Sequence, residues 1–371
     1  RLPLLALPGR ASIHRQPLGV ALVIAPWNYP VQLLLTPMAA AISAGNCVVG
    51  KPSELAPATS ATLARLVARH LDPAAVAIIE GGVPETTALL EQRFDHIFYT
   101  GNATVGRVVA RAAAEHLTPV TLELGGKSPV LVDADADLTV AARRIAWGKW
   151  LNAGQTCVSP DYVLVHERVA DELTERIAAA TTEFYGVDPQ ASPDYARIVN
   201  DRHFRRLAAL VDDGGHTVLH GGQRHAGERF LAPTVVGQVA DGAAVMAEEI
   251  FGPILPMLPV ADIDEAIARV NGRDKPLALY AFSRSSATVA RILERTTSGG
   301  VCLNGTVLQI AVPSLPFGGV GASGSGSYHG HAGFDTFSHR RAVLARSVRP
   351  DLKLAYPPIT TFKERILRRI L

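Results

Sequence analysis

The sequence predicts an α/β protein with a mostly parallel sheet, and its length favours two domains. Short apolar segments alternate with segments whose apolar residues recur at helical spacing, and glycine or proline lies at many of the boundaries. This alternation is typical of βαβ units, in which a helix connects two parallel strands. With 371 residues, the chain is longer than a single compact core usually accommodates.

The first half of the chain contains five predicted strands and two well-marked helices. One helix follows Pro57, where Leu63, Val67 and Leu71 recur at steps of four. The other follows the strand that stops at Gly101, and its apolar stripe is predicted to consist of Val105, Val108, Val109 and Ala112. The predicted strands are residues 18–24, 47–50, 76–79, 94–99 and 120–124.

The second half repeats this arrangement after Gly125 and Gly126, which mark the predicted domain boundary. A helix is predicted where Val169, Leu173 and Ile177 share one face. The predicted strands are residues 129–132, 162–165, 277–282 and 301–303.

Four segments lie outside this regular pattern. Residues 212–216 and 221–228 are predicted to be polar loops, and the glycine- and serine-rich residues 318–330 are predicted to be irregular. Residues 362–371 are basic and amphipathic. We expect them to form a helix on the protein's own surface, with contact to a membrane surface as the alternative.

Composition argues against several classes of protein. The formal net charge is only +2 and there is no dense basic segment, so no nucleic-acid partner is expected. The apolar runs are interrupted before they reach the length of a bilayer span, so no transmembrane segment is predicted. The three cysteines are far apart in the sequence, which argues against a disulfide framework and favours a reducing, cytoplasmic location.

No metal site is predicted. His216 and His220 are four residues apart, but glycines surround them, and a zinc site needs more ligands at defined spacing. Asp133 begins a segment similar to a calcium-binding loop, but Leu138 occupies the position at which such a loop requires glycine.

Cys157 is the candidate nucleophile. It follows the polar, glycine-containing segment 152–156, which is typical of a tight turn that presents a side chain. A lone cysteine is more often a small buried hydrophobic residue. This second interpretation is the one that we apply to Cys47 and Cys302.

Glu123 lies in an otherwise apolar predicted strand. A buried carboxylate is costly unless it is paired or functional, and burial would raise its pKa toward the range useful to a general base. The local pattern leaves two interpretations equally open. Glu123 is either a buried catalytic base or a strand-end carboxylate that points into solvent.

Three further segments suggest binding functions. Asn28 lies between Pro26 and Pro30, so its amide could be held as a donor to an oxyanion, although a turn-capping asparagine is commoner. Lys51 and Glu54 follow a predicted strand, where open sheets bind ribose and phosphate. Residues 101–106 open a helix, whose N-terminus favours phosphate, but their spacing is not that of the usual dinucleotide motif.

Seven segments, taken in order, make the sequence resemble the aldehyde dehydrogenase superfamily, most closely its class 3 branch for fatty and aromatic aldehydes. They extend over nearly the whole chain, which makes coincidence untenable. The segments are PWNYP at 26–30, KPSE at 51–54, FYTGN at 98–102, LELGGKSP at 122–129, GQTC at 154–157, EEIFGP at 248–253 and PFGGVG at 316–321.

The resemblance implies two Rossmann-like open-sheet domains and a small oligomerisation element. It places an NAD(P)-binding domain at residues 18–124 and a catalytic domain at residues 125–328. Residues 1–17 and 329–371 would form bridging or oligomerisation segments and a C-terminal tail, and the assembly would be a homodimer. Family members begin with several helices that the given sequence lacks, so we expect it to be a piece of a longer protein.

The resemblance also implies a role for each candidate residue. In the reaction, an aldehyde is oxidised to a carboxylic acid through a thiohemiacetal and a thioester on the nucleophile, with NAD preferred and NADP tolerated. The resemblance implies that Cys157 is the nucleophile, that Glu123 is the general base, and that Asn28 and the backbone N–H of Cys157 form the oxyanion hole. It implies that the cofactor is bound by Lys51 and Glu54 at the adenosine ribose, by Thr100, Gly101 and Gly106 at the adenine and pyrophosphate, and by Glu249 at the nicotinamide ribose, with Phe251 nearby. Tyr29 and Phe317 would line the tunnel for the aldehyde.

Two alternative functions remain open at this point. The first is a truncated, non-catalytic relative, which the missing helices favour and the intact Cys157, Glu123 and Asn28 oppose. The second is an acylating dehydrogenase that transfers the acyl group to coenzyme A, against which the hydrolytic base Glu123 argues. The sequence does not predict which aldehyde is the substrate.

Overall fold

A computed structural model describes residues 2–3, 6–351 and 353–370 of the chain. Its strands are β1 (Gly9–Pro17), β2 (Val20–Ile24), β3 (Cys47–Lys51), β4 (Val76–Ile78), β5 (His96–Thr100), β6 (Val120–Glu123), β7 (Pro129–Val132), β8 (Tyr162–His166), β9 (Thr217–His220), β10 (Arg224–His225), β11 (Phe230–Leu231), β12 (Thr234–Gly237), β13 (Ile254–Val260), β14 (Ala278–Phe282), β15 (Gly300–Leu303), β16 (Gly324–Ser325) and β17 (Ser338–Arg346).

The helices lie mainly between these strands. They are α1 (Gln32–Ser43), α2 (Pro57–His70), α3 (Val83–Leu90), α4 (Ala103–Glu115), α5 (Leu138–Trp150), α6 (Ala170–Tyr185), α7 (Asp201–Val211), α8 (Ala244–Ala247), α9 (Ile263–Asn271), α10 (Ser286–Arg295), α11 (Gly330–Thr336) and α12 (Thr361–Ile370).

Two open, mostly parallel sheets form the framework, which confirms the predicted fold class. The first has the strand order β16-β6-β5-β2-β3-β4, and only β16 is antiparallel to its neighbour. The second has the order β15-β14-β7-β8-β13-β12-β9, and only β9 is antiparallel. The chain passes from the first sheet to the second between Glu123 and Pro129, and β16 returns to the first.

The strands of the first sheet are apolar because both faces of that sheet are covered. Ala21 and Val23 of β2 belong to one buried cluster, whereas Leu22 and Ile24 belong to another. This division follows from the alternation of side chains along a strand. A third and larger cluster surrounds the second sheet.

Two small sheets complete the architecture. Strands β1 and β17 pair antiparallel over nine residues each, from Gly9 opposite Arg346 to Pro17 opposite Ser338. The other small sheet is the pair β10 and β11. Because β10 and a short 3₁₀ helix at Ala226–Glu228 occupy residues 224–228, the prediction of a polar loop at residues 221–228 holds only for residues 221–223.

Several local expectations need correction. The sheet-facing stripe of α4 consists of Gly106, Val109 and Ala113, whereas Val105 and Val108 are exposed, because small residues let the helix pack closely on the sheet. Leu71 lies just beyond α2 and is exposed.

The exposed side chain of Cys47 corrects its interpretation as a buried hydrophobic residue. The predicted C-terminal helix is present as α12, although Leu371 lies outside the described residues. Among the described helices, none combines the length and apolar character needed to cross a bilayer.

Candidate active site

Four parallel strands of the first sheet bring most of the predicted site residues to one edge. Glu123 ends β6 and pairs with Thr100, which ends β5. Asn28 lies in the turn after β2, and Lys51 ends the neighbouring strand β3. In open α/β sheets, ligands bind at this carboxyl edge. We call it the ligand edge.

The nucleophile loop, residues 151–157, has a strained backbone. Asn152, Ala153 and Gly154 follow one another with φ angles of 52°, 52° and 74°, a conformation that costs most residues about 1–3 kcal/mol each and persists only where the surroundings enforce it. A Cβ atom at Gly154 would lie 2.3 Å from the carbonyl oxygen of Gly252. Glycine is therefore required there for both φ and space.

Gln155 is the residue that holds this loop, and the sequence analysis missed that role. It is 2% exposed, and its Nε2 donates to the carbonyl oxygens of Asn152 at 3.0 Å and Arg197 at 3.1 Å. Its Oε1 accepts from the backbone N–H of Val199 at 3.0 Å. The only signal in the sequence is a polar side chain within the GQTC motif.

The turn after β2 is joined to the nucleophile loop by hydrogen bonds. Asn28 Nδ2 donates to the carbonyl oxygen of Gln155 at 3.0 Å, and Asn152 Nδ2 donates to the carbonyl oxygen of Asn28 at 3.1 Å. The hydroxyls of Tyr29 and Thr156 are 2.7 Å apart. Because an amide carries two N–H donors, Asn28 keeps a second donor besides the one that binds Gln155.

Cys157 is a half-buried, free thiol. Burial, together with the nearby carboxylates of Glu249 and Glu123, raises the pKa of this thiol to about 12, while the backbone N–H groups of Cys157 and Val158 act in the opposite direction. The sulfur is therefore protonated at neutral pH in this state. It must lose that proton before it can attack a substrate.

Glu123 is a buried acid, so the interpretation as a solvent-facing carboxylate is wrong. The residue is 2% exposed, and neither carboxylate oxygen has a hydrogen-bond partner among the described residues. Burial raises the pKa of Glu123 well above its ordinary value. A carboxylate with a raised pKa is a stronger base than a solvent-exposed glutamate, which suits a role in proton transfer.

Glu249 lies against the glycines that link the two sheets. A Cβ atom at Gly125 would be 2.0 Å from Glu249 Oε2. Burial and the charge of Asp161 raise the pKa of Glu249 to about 8, whereas a hydrogen bond from the backbone N–H of Gly126 lowers it. The next aromatic residue, Phe251, has a φ angle of 48° and packs edge-on against the ring of Trp27, with the centroids 5.5 Å apart.

The far end of the ligand edge carries a different group of charges. Lys51 is buried, and its Nζ donates to the carbonyl oxygen of Pro52 at 2.8 Å and lies 3.4 Å from a carboxylate oxygen of Glu54. The Glu54 side chain is 49% exposed. Glu85, which the sequence analysis did not single out, accepts the backbone N–H of Gly82 at 2.7 Å. Its signal is the glycine-to-glutamate spacing of a helix start.

Thr100, Gly101 and Gly106 occupy the segment between these two ends. Thr100 is buried, and its hydroxyl has no partner among the residues that the structure describes. A Cβ atom added at Gly101 would lie 2.2 Å from the hydroxyl oxygen of Tyr99. A Cβ atom added at Gly106 would lie 2.9 Å from a side-chain carbon of Leu124. Packing within the protein therefore explains why no larger residue fits at either position. The contact of these glycines with adenine and pyrophosphate stays a prediction.

Two tyrosines, Tyr29 and Tyr328, lie near the thiol. An open cavity of about 430 Å³ is lined by residues 28–32 and Asn152. Phe317 pairs with Tyr328 through two backbone hydrogen bonds and stacks on His329, with centroids 5.4 Å apart. Burial raises the pKa of Tyr328, and the charges of Glu123 and Cys157 add to this effect. Tyr328 therefore lies near both groups, and the sequence analysis did not identify it.

The ligand edge fits a nicotinamide dinucleotide at several points. Thr100 presents an unpartnered buried hydroxyl, Glu54 presents an exposed carboxylate beside the ammonium of Lys51, and Glu249 presents a carboxylate where glycine leaves room. Among the described residues, no group of three or more His, Cys, Asp or Glu side chains could hold a metal ion.

The fold and the site together define an α/β enzyme that binds a nucleotide cofactor at the carboxyl edge of a parallel sheet. The family model "Aldehyde dehydrogenase family" matches residues 5–343. The chain belongs to the aldehyde dehydrogenase family. It is an enzyme that oxidises aldehydes with NAD or NADP.

Curated relatives support the class 3 branch. The chain is 51% identical over 357 residues to "Aldehyde dehydrogenase family 3 member A2" of Mus musculus, covering 96% of this chain and 73% of that protein. It is 52% identical over 348 residues to "Aldehyde dehydrogenase, dimeric NADP-preferring" of the same organism, covering 93% and 76%.

Solved structures agree in fold. The substrate-bound Staphylococcus aureus AldH superposes with a TM-score of 0.96 at 44% identity, covering 100% of this chain and 81% of that one. A Mycobacterium tuberculosis aldehyde dehydrogenase in complex with NAD⁺ superposes with a TM-score of 0.81 at 31% identity, covering 90% and 72%.

Proposed function

We propose that aldehyde oxidation by this enzyme proceeds through a thioester on Cys157 that is hydrolysed with Glu123 as the base. The observation that carries this proposal is the proximity of a half-buried thiol to a buried carboxylate that lacks a hydrogen-bond partner among the described residues. Because burial raises the pKa of Glu123, its carboxylate, once ionised, accepts a proton more readily than an exposed glutamate does.

Attack on the aldehyde is the first step of this mechanism. Solvent water takes the proton of the thiol, the sulfur then forms a bond to the carbonyl carbon, and the carbonyl electron pair moves to oxygen. The second N–H of the Asn28 amide and the backbone N–H of Cys157 stabilise that oxygen. Glu249, Lys51 and Glu54 would hold the nicotinamide cofactor, which when bound would supply the oxidising power by taking up a hydride.

Hydrolysis is the second half of the reaction. Glu123 takes a proton from water as the water oxygen attacks the thioester carbon. The carbon–sulfur bond then breaks, the electron pair returns to the Cys157 sulfur, and the carboxylic acid leaves.

Trapping the thioester tests the assignment of Glu123. Glu123→Gln should produce one burst of reduced cofactor, close to one equivalent per active site, and then stall. Mass spectrometry of the stalled enzyme should show an acyl group on Cys157. Glu85→Gln, at the other end of the ligand edge, is the control and should turn over repeatedly. Repeated turnover by Glu123→Gln at nearly the normal rate would contradict the assignment.

The site also supports a cofactor preference and a substrate class. We propose that NAD is preferred and NADP is tolerated, because Glu54 can accept hydrogen bonds from the ribose hydroxyls and repels a 2′-phosphate, while Lys51 partly offsets this repulsion. Fatty and aromatic aldehydes are the proposed substrates, with Tyr29 and Phe317 lining their path.

We propose in addition that the protein forms a homodimer in the cytoplasm. The ribbon of β1 and β17 supports assembly, since Ile13 and Leu344 lie on one of its faces and are 53% and 51% exposed. A relative with the word "dimeric" in its name agrees with this proposal. The sparse, free cysteines favour the reducing compartment. Analytical ultracentrifugation tests the dimer, which a monomeric mass would exclude.

A further inference from the structure

Residues 245–252, which carry Glu249 and Phe251, contain little regular structure. The one-turn helix α8 ends at Ala247, and β13 begins only at Ile254. Ile250 is 0% exposed. Buried backbone groups outside helices and sheets need other hydrogen-bond partners.

Side chains from three distant parts of the chain supply those partners. Lys127 Nζ donates to the carbonyl oxygens of Val245 at 2.8 Å and Glu248 at 3.0 Å. Arg206, on α7, donates to the carbonyl oxygen of Ile250 at 2.7 Å. Arg273, beyond α9, donates to the carbonyl oxygen of Met246 at 2.7 Å. We call these three residues the cation clamp.

The cation clamp is itself fixed in place. Lys127 forms an ion pair with Asp161, and the two side chains are 9% and 4% exposed. The other carboxylate oxygen of Asp161 accepts the backbone N–H of Ile250 at 2.9 Å. The ring of Tyr162 has Lys127 and Arg273 each 5.7 Å from its centroid. Hydrogen bonds that involve charged groups are stronger than neutral ones, so this arrangement restricts the segment tightly.

The same segment reaches the nucleophile loop. Helix α7 contacts residues 245–252 at two points. Arg206 donates to the carbonyl oxygen of Ile250, and the Cδ2 atom of Leu207 lies 2.4 Å from the position that a Cβ atom of Gly252 would occupy. The carbonyl oxygen of Gly252 in turn lies close to Gly154 of the nucleophile loop. One rigid segment therefore connects Glu249 to the loop that presents Cys157.

We propose that Lys127, Arg206 and Arg273 are positioning residues that hold residues 245–252 so that Glu249 meets the nicotinamide ribose in register with Cys157. The proposal rests on the role of Glu249 in cofactor binding. Each clamp residue acts through the backbone of that segment, and none of them needs to touch the cofactor or the aldehyde.

Arg206→Ala tests the cation clamp, with Arg206→Lys as the conservative variant. Arg224→Ala is the matched control, because Arg224 donates to the carbonyl oxygen of Ala208 on the same helix at 3.2 Å but does not reach residues 245–252. Two quantities are measured on each full-length variant. They are the rate of amide hydrogen exchange of residues 245–252 without cofactor and the Kd for NADH from its fluorescence.

Arg206→Ala should raise both the exchange rate and the Kd for NADH by roughly tenfold, the size of one charge-assisted hydrogen bond. Arg206→Lys should recover most of this loss, and Arg224→Ala should change neither quantity. Unchanged exchange in Arg206→Ala would overturn the clamp itself. Faster exchange with an unchanged Kd would overturn its link to cofactor binding.

Glu249→Gln separates the clamp from the premise on which it rests. This variant should raise the Kd for NADH while exchange of residues 245–252 stays slow. If its Kd equals that of the wild type, the role of Glu249 fails, and with it the proposal, even where Arg206→Ala exchanges faster.

Discussion

The two ends of the ligand edge handle charge in opposite ways. At one end, Glu123 is buried and the Cys157 thiol is half-buried, and burial raises the pKa of both groups. At the other end, Glu54 and Glu85 are exposed and lie close to the buried ammonium of Lys51. The comparison shows that the reacting groups are shielded from solvent and hydrogen-bond partners, which perturbs their pKa values. The groups that would bind the polar cofactor keep access to both.

The nucleophile is the most sensitive point of this comparison. Cys157→Ser should reduce aldehyde oxidation by at least about three orders of magnitude, because a serine hydroxyl is far harder to ionise in the same buried setting. The Kd for NADH should remain near the wild-type value, since Lys51 and Glu54 are untouched. Steady-state kinetics and NADH fluorescence measure the two quantities.

Cys47→Ser is the matched control for this substitution, because Cys47 is an exposed free thiol in strand β3, outside the nucleophile loop. It should retain full activity. Near-normal turnover in Cys157→Ser would mean that another group attacks the aldehyde.

The pH dependence of stability should differ in sign between the two ends. Because burial raises the pKa of Glu123, the folded protein keeps a proton that the unfolded chain releases above about pH 4.3. The free energy of unfolding of the wild type therefore falls as the pH rises above about 4.3, by up to about 1.4 kcal/mol per pH unit. Glutamine does not titrate, so the free energy of unfolding of Glu123→Gln should rise relative to that of the wild type as the pH increases above about 4.3.

Glu85 provides the opposite case within the same experiment. Hydrogen bonds from the backbone N–H groups of Glu85 and Gly82, and the charge of Lys51, lower the pKa of its carboxyl. The ionised Glu85 carboxylate stabilises the folded protein above the ordinary pKa of glutamate. This stabilisation is lost as the pH falls through the lowered pKa of the folded state. Glu85→Gln should therefore lose stability relative to the wild type at neutral pH, and the difference should shrink in acid. Urea titrations across pH measure both variants, and parallel pH profiles would contradict the contrast.

The smallest expected effect concerns the choice between the two cofactors. Glu54→Gln removes the charge that repels a 2′-phosphate but keeps a polar side chain. Because Glu54 is half exposed, solvent screens this repulsion, and the ratio of kcat/KM for NAD to that for NADP should shift toward NADP by only a few-fold. An unmoved ratio, or a wild type that already prefers NADP, would assign ribose recognition to another residue.

Local pattern determined much of the fold. A parallel strand covered on both faces must be apolar throughout, and β2, β5 and β14 are therefore visible in the sequence as short continuous runs. Family resemblance then pointed to Cys157 and Glu123 as reacting groups, because their motifs occur in a fixed order. Helix faces were less predictable, since the stripe of α4 depends on how closely that helix approaches its sheet.

Tertiary structure decided what local pattern left open. Whether Glu123 faces solvent or the thiol depends on desolvation by residues far along the chain, so the local pattern leaves both interpretations open. The pairing of β1 with β17 joins the two ends of the chain, and the anchoring of the nucleophile loop by Gln155 depends on carbonyl groups that no spacing predicts. The cation clamp is of the same kind. Burial and long-range hydrogen bonding arise only when distant segments meet, and for that reason the sequence names the reacting groups while the fold sets their chemistry.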